Sequence, residues 1–335
     1  MEPVFLPNPY QPRDKSLGFC FMPRNFGDFP ECQTERRNQK IAIPGTERNF
    51  GVFSKNKIES QKKRNKSMYT TIGKSVRMER ITNWNTGKTV IIPMDHGVSV
   101  GPIKGLIDMS KTVDMVAEGG ANAVVGHTGL SRYGHRKYGR DIGLILHLSA
   151  SSTLSPKPNR KVLVNTVENA LRMGADCVSI HINIGDESEA EMLHDFGKVA
   201  IECSYWGMPL VAMMYPRGPK VKDEKDLEAV KIAARIGAEL GADFVKTVYT
   251  GDPDSFAEVV EGCPAPVLIA GGSKAGEEEM FQTIEDAIKV GAKGLSIGRN
   301  VFQHSNPILF VKAACAIVHD NLTAKEAMEM MREGK

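Results

Sequence analysis

The sequence predicts an α/β protein built on a closed (β/α)8 barrel, the TIM-barrel fold, and three observations predict it. Beyond Met68, short apolar runs alternate with amphipathic segments, as strands and helices do in parallel βα units. Eight such runs can be counted, which is the number that closes this barrel. Glycine recurs between a helix and the next strand, as in AEGGANAVV and AELGADFVK, where a left-handed C-cap is expected.

The elements are expected in alternating order along the chain. The eight strands are predicted at Thr89–Met94, Ala123–Gly126, Gly143–Leu148, Cys177–Ile184, Pro209–Tyr215, Phe244–Val248, Pro266–Ala270 and Gly294–Ile297. Most intervals have helical periodicity, most clearly at Glu168–Met173, Glu187–Tyr205, Glu224–Leu240, Ser255–Glu261 and Glu277–Val290. An open doubly wound sheet is the alternative fold. Its glycine-rich phosphate fingerprint after the first strand is replaced here by Asp95, His96 and Gly97.

Residues 1–67 differ from the remainder in charge. They contain 13 Lys and Arg against 7 Asp and Glu, whereas the rest of the chain contains 30 against 33. Their apolar residues follow neither the helical nor the strand period, so we predict a disordered basic extension ahead of a single barrel domain, 68–335. The extension is either a flexible arm or a segment upstream of a natural start at Met68. No recognition fold surrounds its basic residues, so no nucleic-acid partner is expected.

The composition also bears on compartment. No run approaches the roughly 18 consecutive apolar residues of a membrane span, and the N-terminus has charges where a signal peptide has its apolar region. We therefore expect a cytoplasmic protein without a membrane partner. The six cysteines lie far apart with no CxxC pair, which favours reduced, mostly buried thiols: Cys20, Cys32, Cys177, Cys203, Cys263 and Cys315.

Small residues follow the last two predicted strands. Gly271, Gly272 and Ser273 come after the seventh strand, and Gly298, Arg299 and Asn300 come after the eighth. In this barrel, phosphate is commonly bound by the loops after these two strands. Glycines expose backbone N–H groups and a guanidinium binds phosphate oxygens in pairs. The coincidence of both positions predicts a phosphate site.

A lysine lies inside the sixth apolar run, ADFVKTVYTGD. Strand alternation places Phe244, Lys246 and Val248 on one face. Burial in the barrel disfavours the ammonium form and so favours the free amine that Schiff-base chemistry needs. The structural alternative is a lysine paired with a carboxylate within the barrel layer.

Two proton-transfer groups end other strands. Asp95 ends the first strand and Tyr215 ends the fifth, so both are expected at the same barrel mouth as Lys246. Forming a carbinolamine and cleaving a C–C bond both require protons to be moved, and a carboxylate and a phenol can do so. The structural alternatives are an Asp95 that caps the next helix and a Tyr215 that is a rim aromatic.

Four histidines suggest a competing site. His96, His127, His147 and His181 lie at or near the ends of strands one to four. Imidazoles gathered in a barrel mouth can bind zinc, which would polarise a substrate carbonyl. Such a site leaves Lys246 without a role, so we expect no metal and no cofactor, and keep a metal-dependent barrel aldolase as an alternative.

From about Tyr69 to Arg332 the chain resembles the archaeal-type class I aldolases of the DeoC/FbaB group. The resemblance is carried by IIPMDHGVSVGPIKGL, RYGHRKYG, MMYPRG, ELGADFVKTVYTGD, CPAPVLIAGGSK and IGRNVFQH. It implies Lys246 as the Schiff-base lysine, Tyr215 as proton donor and Asp95 as general acid/base. It also implies substrate contacts at Asp95, His96, Gly97, Val98, Ser99, Tyr215, Pro216, Arg217, Lys246, Gly271, Gly272, Gly298 and Arg299. The family offers no counterpart of residues 1–67.

The resemblance further implies a reaction. The first loop, PMDHGVS with GPIKGL, resembles the same loop in one group of family members. Those enzymes pass a three-carbon enamine fragment from 6-deoxy-5-ketofructose 1-phosphate to L-aspartate semialdehyde. The alternatives are a class I fructose-bisphosphate aldolase and a sugar-phosphate sensor that does no chemistry. The expected partners are a phosphorylated keto sugar and a small aldehyde. Copies of the chain itself are also expected, since similar enzymes form ring-like homo-oligomers such as decamers.

Overall fold

The computed structural model describes residues 72–133, 141–272 and 275–334. The predicted extension, residues 1–67, and the boundary at Met68 lie outside these ranges, as do Ser273, Cys20 and Cys32. None of the described helices is both long and apolar enough to cross a membrane.

The described strands are short apolar runs, as parallel strands covered on both faces must be. They are β1 Thr89–Pro93, β2 Ala123–Gly126, β3 Gly143–His147, β4 Ser149–Ala150, β5 Val162–Leu163, β6 Cys177–Ile184, β7 Leu210–Pro216, β8 Phe244–Thr247, β9 Val267–Ala270 and β10 Gly294–Ser296. Eight of them form a closed barrel in the order β1-β10-β9-β8-β7-β6-β3-β2. The predicted barrel is therefore confirmed, and each predicted strand boundary is within one residue of the observed one.

Pairing between the first and last strands closes the barrel. Thr89 of β1 is in register with Gly294 of β10, and Ile91 pairs with Ala123 of β2 on its other side. Gly294 has a φ of +138°, and a Cβ there would lie 1.9 Å from the carbonyl oxygen of Thr89, so this closure requires glycine. β4 and β5 form a separate antiparallel pair within the connection that follows β3.

Helices alternate with the barrel strands. They are α1 Ile72–Ile81, α2 His96–Val100, α3 Met109–Glu118, α4 Thr128–Tyr133, α5 Val167–Arg172, α6 Glu189–Trp206, α7 Leu227–Glu239, α8 Pro253–Gly262, α9 Glu277–Lys289, α10 Arg299–Phe302, α11 Pro307–Asp320 and α12 Ala324–Glu333. Several begin where a side chain accepts a hydrogen bond from a backbone N–H of the first turn, as Asp226 does for α7 and Asp252 for α8.

Helix α1 lies across the N-terminal ends of the strands. Lys74 donates to both carboxylate oxygens of Asp243, which precedes β8, at 3.1 and 3.0 Å. Arg80 forms ion pairs of 2.8 Å with Asp176, which precedes β6, and with Asp141, which lies ahead of β3. Met78 and Ile81 are buried in the core. This helix, which we call the floor helix, was not predicted from the sequence.

The described cysteines lie inside or at the edge of the packed core. Cys177, Cys203 and Cys263 are buried free thiols, and Cys315 is partly buried. Burial raises the pKa of the Cys177, Cys203 and Cys263 thiols, so they carry little of the reactive thiolate.

Candidate active site

A cavity of about 680 Å³ opens at the C-terminal ends of the barrel strands. It is lined by ten of the thirteen predicted site residues: Asp95, His96, Ser99, Tyr215, Arg217, Lys246, Gly271, Gly272, Gly298 and Arg299. The other three do not line it. Gly97 and Val98 are exposed on α2, and Pro216 is buried as the last residue of β7. The barrel mouth thus brings the three predicted catalytic side chains into one space.

Lys246 lies in β8, between Met213 of β7 and Leu268 of β9. Its side chain is buried, with 6% of the residue exposed, and it lines the cavity. Within the described ranges, its Nζ has no hydrogen-bond or ion-pair partner. Among the residues that the structure describes, the alternative of a lysine paired with a carboxylate in the barrel layer is therefore not observed. An unpaired amine that faces a cavity is available as a nucleophile.

Asp95 follows β1 and is the N-cap residue of α2, but its side chain makes no capping hydrogen bond. Its oxygens instead lie 3.7 Å from Nδ1 of His96 and 4.0 Å from Nε2 of His147. Burial opposes ionisation of Asp95, but His147, His96, Lys246 and His127 outweigh burial and lower its pKa to about 2. Asp95 is therefore a carboxylate at neutral pH.

Tyr215 is a buried residue near the end of β7, 8% exposed. Its ring lies against the ring of His181, with 4.9 Å between centroids, and the guanidinium of Arg217 lies 4.8 Å from its ring centroid. These contacts fix the ring while the residue lines the cavity. The position is therefore within the barrel mouth and not on its outer rim.

Each of the four histidines contacts a different neighbour. His147 is hydrogen-bonded through Nδ1 to the Ser179 hydroxyl at 2.8 Å, and His181 through Nε2 to Asn183 Oδ1 at 2.8 Å. His96 packs edge-on against Phe302, and His127 against His147. No group of three His, Cys, Asp or Glu side chains in the described ranges has the arrangement of a metal site.

Burial lowers the pKa of all four histidines. The pKa of His147 falls to about 4, although the Asp95 charge opposes the shift. The imidazoles are therefore neutral at neutral pH. Lys246, as an ammonium or an iminium, then remains as a cationic neighbour of the Asp95 carboxylate.

The predicted phosphate loops lie on the β9 and β10 side of the cavity. Arg299 donates to the carbonyl oxygen of Gly272 at 3.1 Å. Asn300 donates to Gly271 O at 3.0 Å and accepts from the N–H of Ala275 at 3.1 Å, so it ties the two loops together. A Cβ at Gly298 would lie 2.7 Å from Pro93 O, so glycine permits this close approach.

Sequence reasoning missed other residues that line the cavity, and Lys161 is the most informative of them. It directly precedes β5, in a loop rich in serine, proline and lysine, where neither strand nor helix period indicates which way a side chain points. Lys222 and Lys225 from the loop after β7 were missed for the same reason.

Residues 89–304 match the sequence profile described as DeoC/LacD family aldolase. The chain is 45% identical over 262 residues to 2-amino-3,7-dideoxy-D-threo-hept-6-ulosonate synthase 1 of Archaeoglobus fulgidus, covering 78% of this chain and 97% of that one. It is 42% identical over 259 residues to the synthase of that name from Halobacterium salinarum, covering 77% and 96%.

A solved structure adds the chemistry of a relative. It is an archaeal fructose-1,6-bisphosphate aldolase with its catalytic lysine covalently bound to the carbinolamine intermediate of the substrate. The likeness has a TM-score of 0.66 at 32% identity and covers 73% of this chain and 99% of that one. Together with the sequence matches, it identifies the chain as a member of the DeoC/LacD aldolase family.

Proposed function

We propose that the protein is a 2-amino-3,7-dideoxy-D-threo-hept-6-ulosonate synthase. In this function it transfers a three-carbon fragment of 6-deoxy-5-ketofructose 1-phosphate to L-aspartate semialdehyde, early in a route to 3-dehydroquinate and the aromatic amino acids. The relatives of that name, at 45% and 42% identity, support the choice. We further propose that it works in the cytoplasm as a homo-oligomer.

The observation that carries the proposal is the buried amine of Lys246, which has no partner among the described residues and lies beside Asp95 and Tyr215 in one cavity. Its Nζ attacks the substrate ketone to form a carbinolamine, and loss of water gives an iminium. The C–C bond then breaks so that its electron pair moves onto the iminium. This step leaves an enamine on Lys246 and releases an aldehyde.

The second half of the reaction reverses these steps with a new aldehyde. The enamine carbon attacks the carbonyl carbon of L-aspartate semialdehyde, whose oxygen takes up a proton, and water hydrolyses the new iminium to free the product. We assign proton donation to the Tyr215 hydroxyl. Asp95, a carboxylate because of its low pKa, accepts the proton from the substrate hydroxyl as the first C–C bond breaks. That proton returns to the Tyr215 phenolate after the second half-reaction, so both groups regain their starting protonation states.

Borohydride trapping tests the mechanism. Reduction with the ketose phosphate present should leave a secondary amine on Lys246, located by peptide mass spectrometry. Lys246→Arg should abolish both the adduct and turnover, because the guanidinium stays protonated. Lys289→Arg, at an exposed lysine paired with Glu285, is the matched control and should keep full activity. An adduct on another lysine, or turnover without an adduct, would contradict the mechanism.

A class I fructose-bisphosphate aldolase is the second candidate, favoured by the likeness to the solved aldolase. One assay separates the two functions. The purified protein is given 6-deoxy-5-ketofructose 1-phosphate with and without L-aspartate semialdehyde, beside fructose 1,6-bisphosphate. Formation of the amino-heptulosonate supports the synthase, whereas cleavage of the bisphosphate without any transfer supports the aldolase.

A further inference from the structure

Lys161 is positioned to bind an anion in the cavity. Its ammonium donates to the Ser151 hydroxyl and, at 3.2 Å, to the carbonyl oxygen of Pro158. An ammonium has three N–H donors, so one remains for a ligand. The side chain is partly buried and lines the cavity, and no carboxylate of the described residues forms an ion pair with it. Burial and the nearby Arg217 both lower the pKa of Lys161.

Arg217 faces the same part of the cavity. Its Nε and Nη2 donate to Glu224 at 2.8 and 3.2 Å, which holds the guanidinium over the Tyr215 ring. Nη1 donates to no other residue in the part of the chain that the structure describes. Lys161 and Arg217 therefore each retain a donor. Glu224 is paired with Arg217, and the Asp95 charge favours the charged form of Lys161.

The barrel order separates this pair from the predicted phosphate loops. Lys161 lies in the connection after β3, and His181, which also lines the cavity, lies in the neighbouring β6. In the closed order of eight strands, the β3–β6 edge is diametrically opposite the β9–β10 edge, from which Gly272 and Arg299 reach the cavity. The mouth therefore has cationic groups on two opposite walls.

The charge of the whole lining fits an anionic substrate. Among the residues that the structure describes, six cationic side chains and three carboxylates line the cavity. Lys222 and Lys225 add positive charge at the exposed rim, where Asp223 partly offsets them. His181 adds no charge at neutral pH, because burial and Lys161 lower its pKa well below the usual value. The excess is positive even when Lys246 is the neutral amine.

The chemistry of the proposed function, on which this inference rests, shows what the side of the cavity that holds Lys161 and Arg217 must bind. The product is a 7-deoxy-6-ulosonate, a methyl ketone without phosphate, so the transferred fragment is the methyl-ketone end of the donor. The donor phosphate therefore leaves with the aldehyde fragment. The incoming aldehyde bears a carboxylate. The leaving and the incoming aldehyde must therefore occupy the same position beside the enamine carbon, one after the other.

We propose that Lys161 and Arg217 form a second anion subsite, which binds the phosphate of the leaving aldehyde and then the carboxylate of the acceptor aldehyde. One site serves both half-reactions because the two aldehydes exchange at the same place. The β9–β10 wall then faces the transferred fragment, where a donor such as fructose 1,6-bisphosphate carries a second phosphate. Lys161 is thereby a specificity-determining residue for anionic aldehydes.

The test compares charged and uncharged acceptors in Lys161→Gln. Losing one charge-assisted hydrogen bond should raise KM for both 6-deoxy-5-ketofructose 1-phosphate and L-aspartate semialdehyde by about 10- to 100-fold. KM for propanal, an acceptor without a charge, should stay within about 3-fold of the parent. Borohydride trapping at saturating donor should still modify Lys246, which shows that the variant is folded and keeps its reactive amine.

Two controls accompany that variant. Lys161→Arg keeps the charge and should retain both KM values within about 3-fold. Lys157→Gln removes a lysine from the same loop that is exposed and lies 3.6 Å from Glu187, outside the cavity, and it should have no effect on either KM.

Each other result overturns the proposal in a distinguishable way. If the KM values were unchanged, or if KM rose equally for charged and uncharged acceptors, Lys161 would not belong to the anion site. A rise in KM for the donor alone, or for the acceptor aldehyde alone, would contradict a site shared by both. If the parent enzyme makes no amino-heptulosonate at all, the proposed function fails together with this inference, whereas parent turnover that is insensitive to Lys161 defeats this inference only.

Discussion

At the scale of single residues, the site combines one strongly ionised carboxylate with neutral imidazoles. Asp95 has a pKa of about 2, while burial holds the pKa of His147 near 4. His147 is almost fully buried, and its Nδ1 is hydrogen-bonded to the Ser179 hydroxyl. A buried imidazole that is neutral when folded and takes up a proton when unfolded links the stability of the protein to pH.

The stability is accordingly expected to fall on acidification. The His147 side chain takes up a proton near pH 6.5 when unfolded but near pH 4 when folded, so between these values the unfolded state binds more protons and the free energy of unfolding falls as the pH falls. The shift corresponds to about 3 kcal/mol over this window. His96, His127, His181 and His319, whose pKa values are also lowered, act in the same direction.

Urea unfolding between pH 7 and pH 4 measures this effect. His147→Gln should give a shallower dependence of the unfolding free energy on pH than the parent, because one of the linked protons is gone. His194→Gln, at an exposed position on α6, is the matched control and should leave the dependence unchanged. The same slope in His147→Gln as in the parent would disprove the assignment.

At the scale of elements, the floor helix is tied to the barrel by ion pairs beneath the strands. The Lys74 and Asp243 side chains are only 10% and 8% exposed. Asp243 also accepts from the backbone N–H of Leu210 at 2.9 Å, and burial raises its pKa. Removing Lys74 would therefore leave a buried carboxylate without its cation, which costs far more than losing a surface pair.

Lys74→Met should lower the free energy of unfolding by about 3 kcal/mol, as measured by chemical denaturation. The double variant Lys74→Met with Asp243→Asn should recover part of that loss, because the amide keeps an acceptor for Leu210 without an uncompensated charge. A single variant as stable as the parent would show that the pair contributes little to docking the helix.

The same scale shows what could be predicted from the sequence. The strand boundaries were predicted closely because strands buried on both faces are continuous apolar runs, such as Cys177–Ile184. The floor helix was missed because its buried positions include Lys74, while Ile72 and Val76 are exposed, so its hydrophobic pattern is weak. Lys161 was missed because the direction of its side chain depends on the path of a loop, and the periodicity of the sequence does not predict that path.

Within the site, the strand-end rule predicted Asp95, Tyr215 and Lys246 in one cavity, since all parallel strands end at the same mouth. The same rule does not extend to residues beyond the strand end. Gly97 and Val98 were expected at the substrate because they follow Asp95, but a helix begins at His96 and turns both outward. Which face of such a short helix meets the cavity depends on tertiary packing.

At the scale of the whole molecule, the two ends of the barrel have separate tasks. The N-terminal end holds the buried pair of Lys74 and Asp243 under the floor helix, and the C-terminal end holds the cavity. This division is general for the fold, in which the mouth carries the chemistry and the opposite face carries stability.

A chain beginning at Met68 is therefore predicted to fold and to turn over within a few-fold of the full chain, because it retains the floor helix, which begins at Ile72. A chain beginning at Thr82 lacks that helix and should lose stability, because Asp243 loses its ion pair with Lys74 and Asp176 loses its ion pair with Arg80. Thermal unfolding and steady-state kinetics on the three chains check both expectations. A large loss in the Met68 chain would assign residues 1–67 a role in the enzyme.

The position of the floor helix also bears on how the protein can be handled. Because α1 spans the closed end of the barrel, the chain enters the folded domain on the side away from the cavity. In a chain that begins at Met68, an attachment made through the N-terminus, to a resin or to a sensor chip, would orient the open mouth toward the solution. Immobilised enzyme of this kind should accept soluble ketose and aldehyde from the bulk phase and release product without passing it across the support.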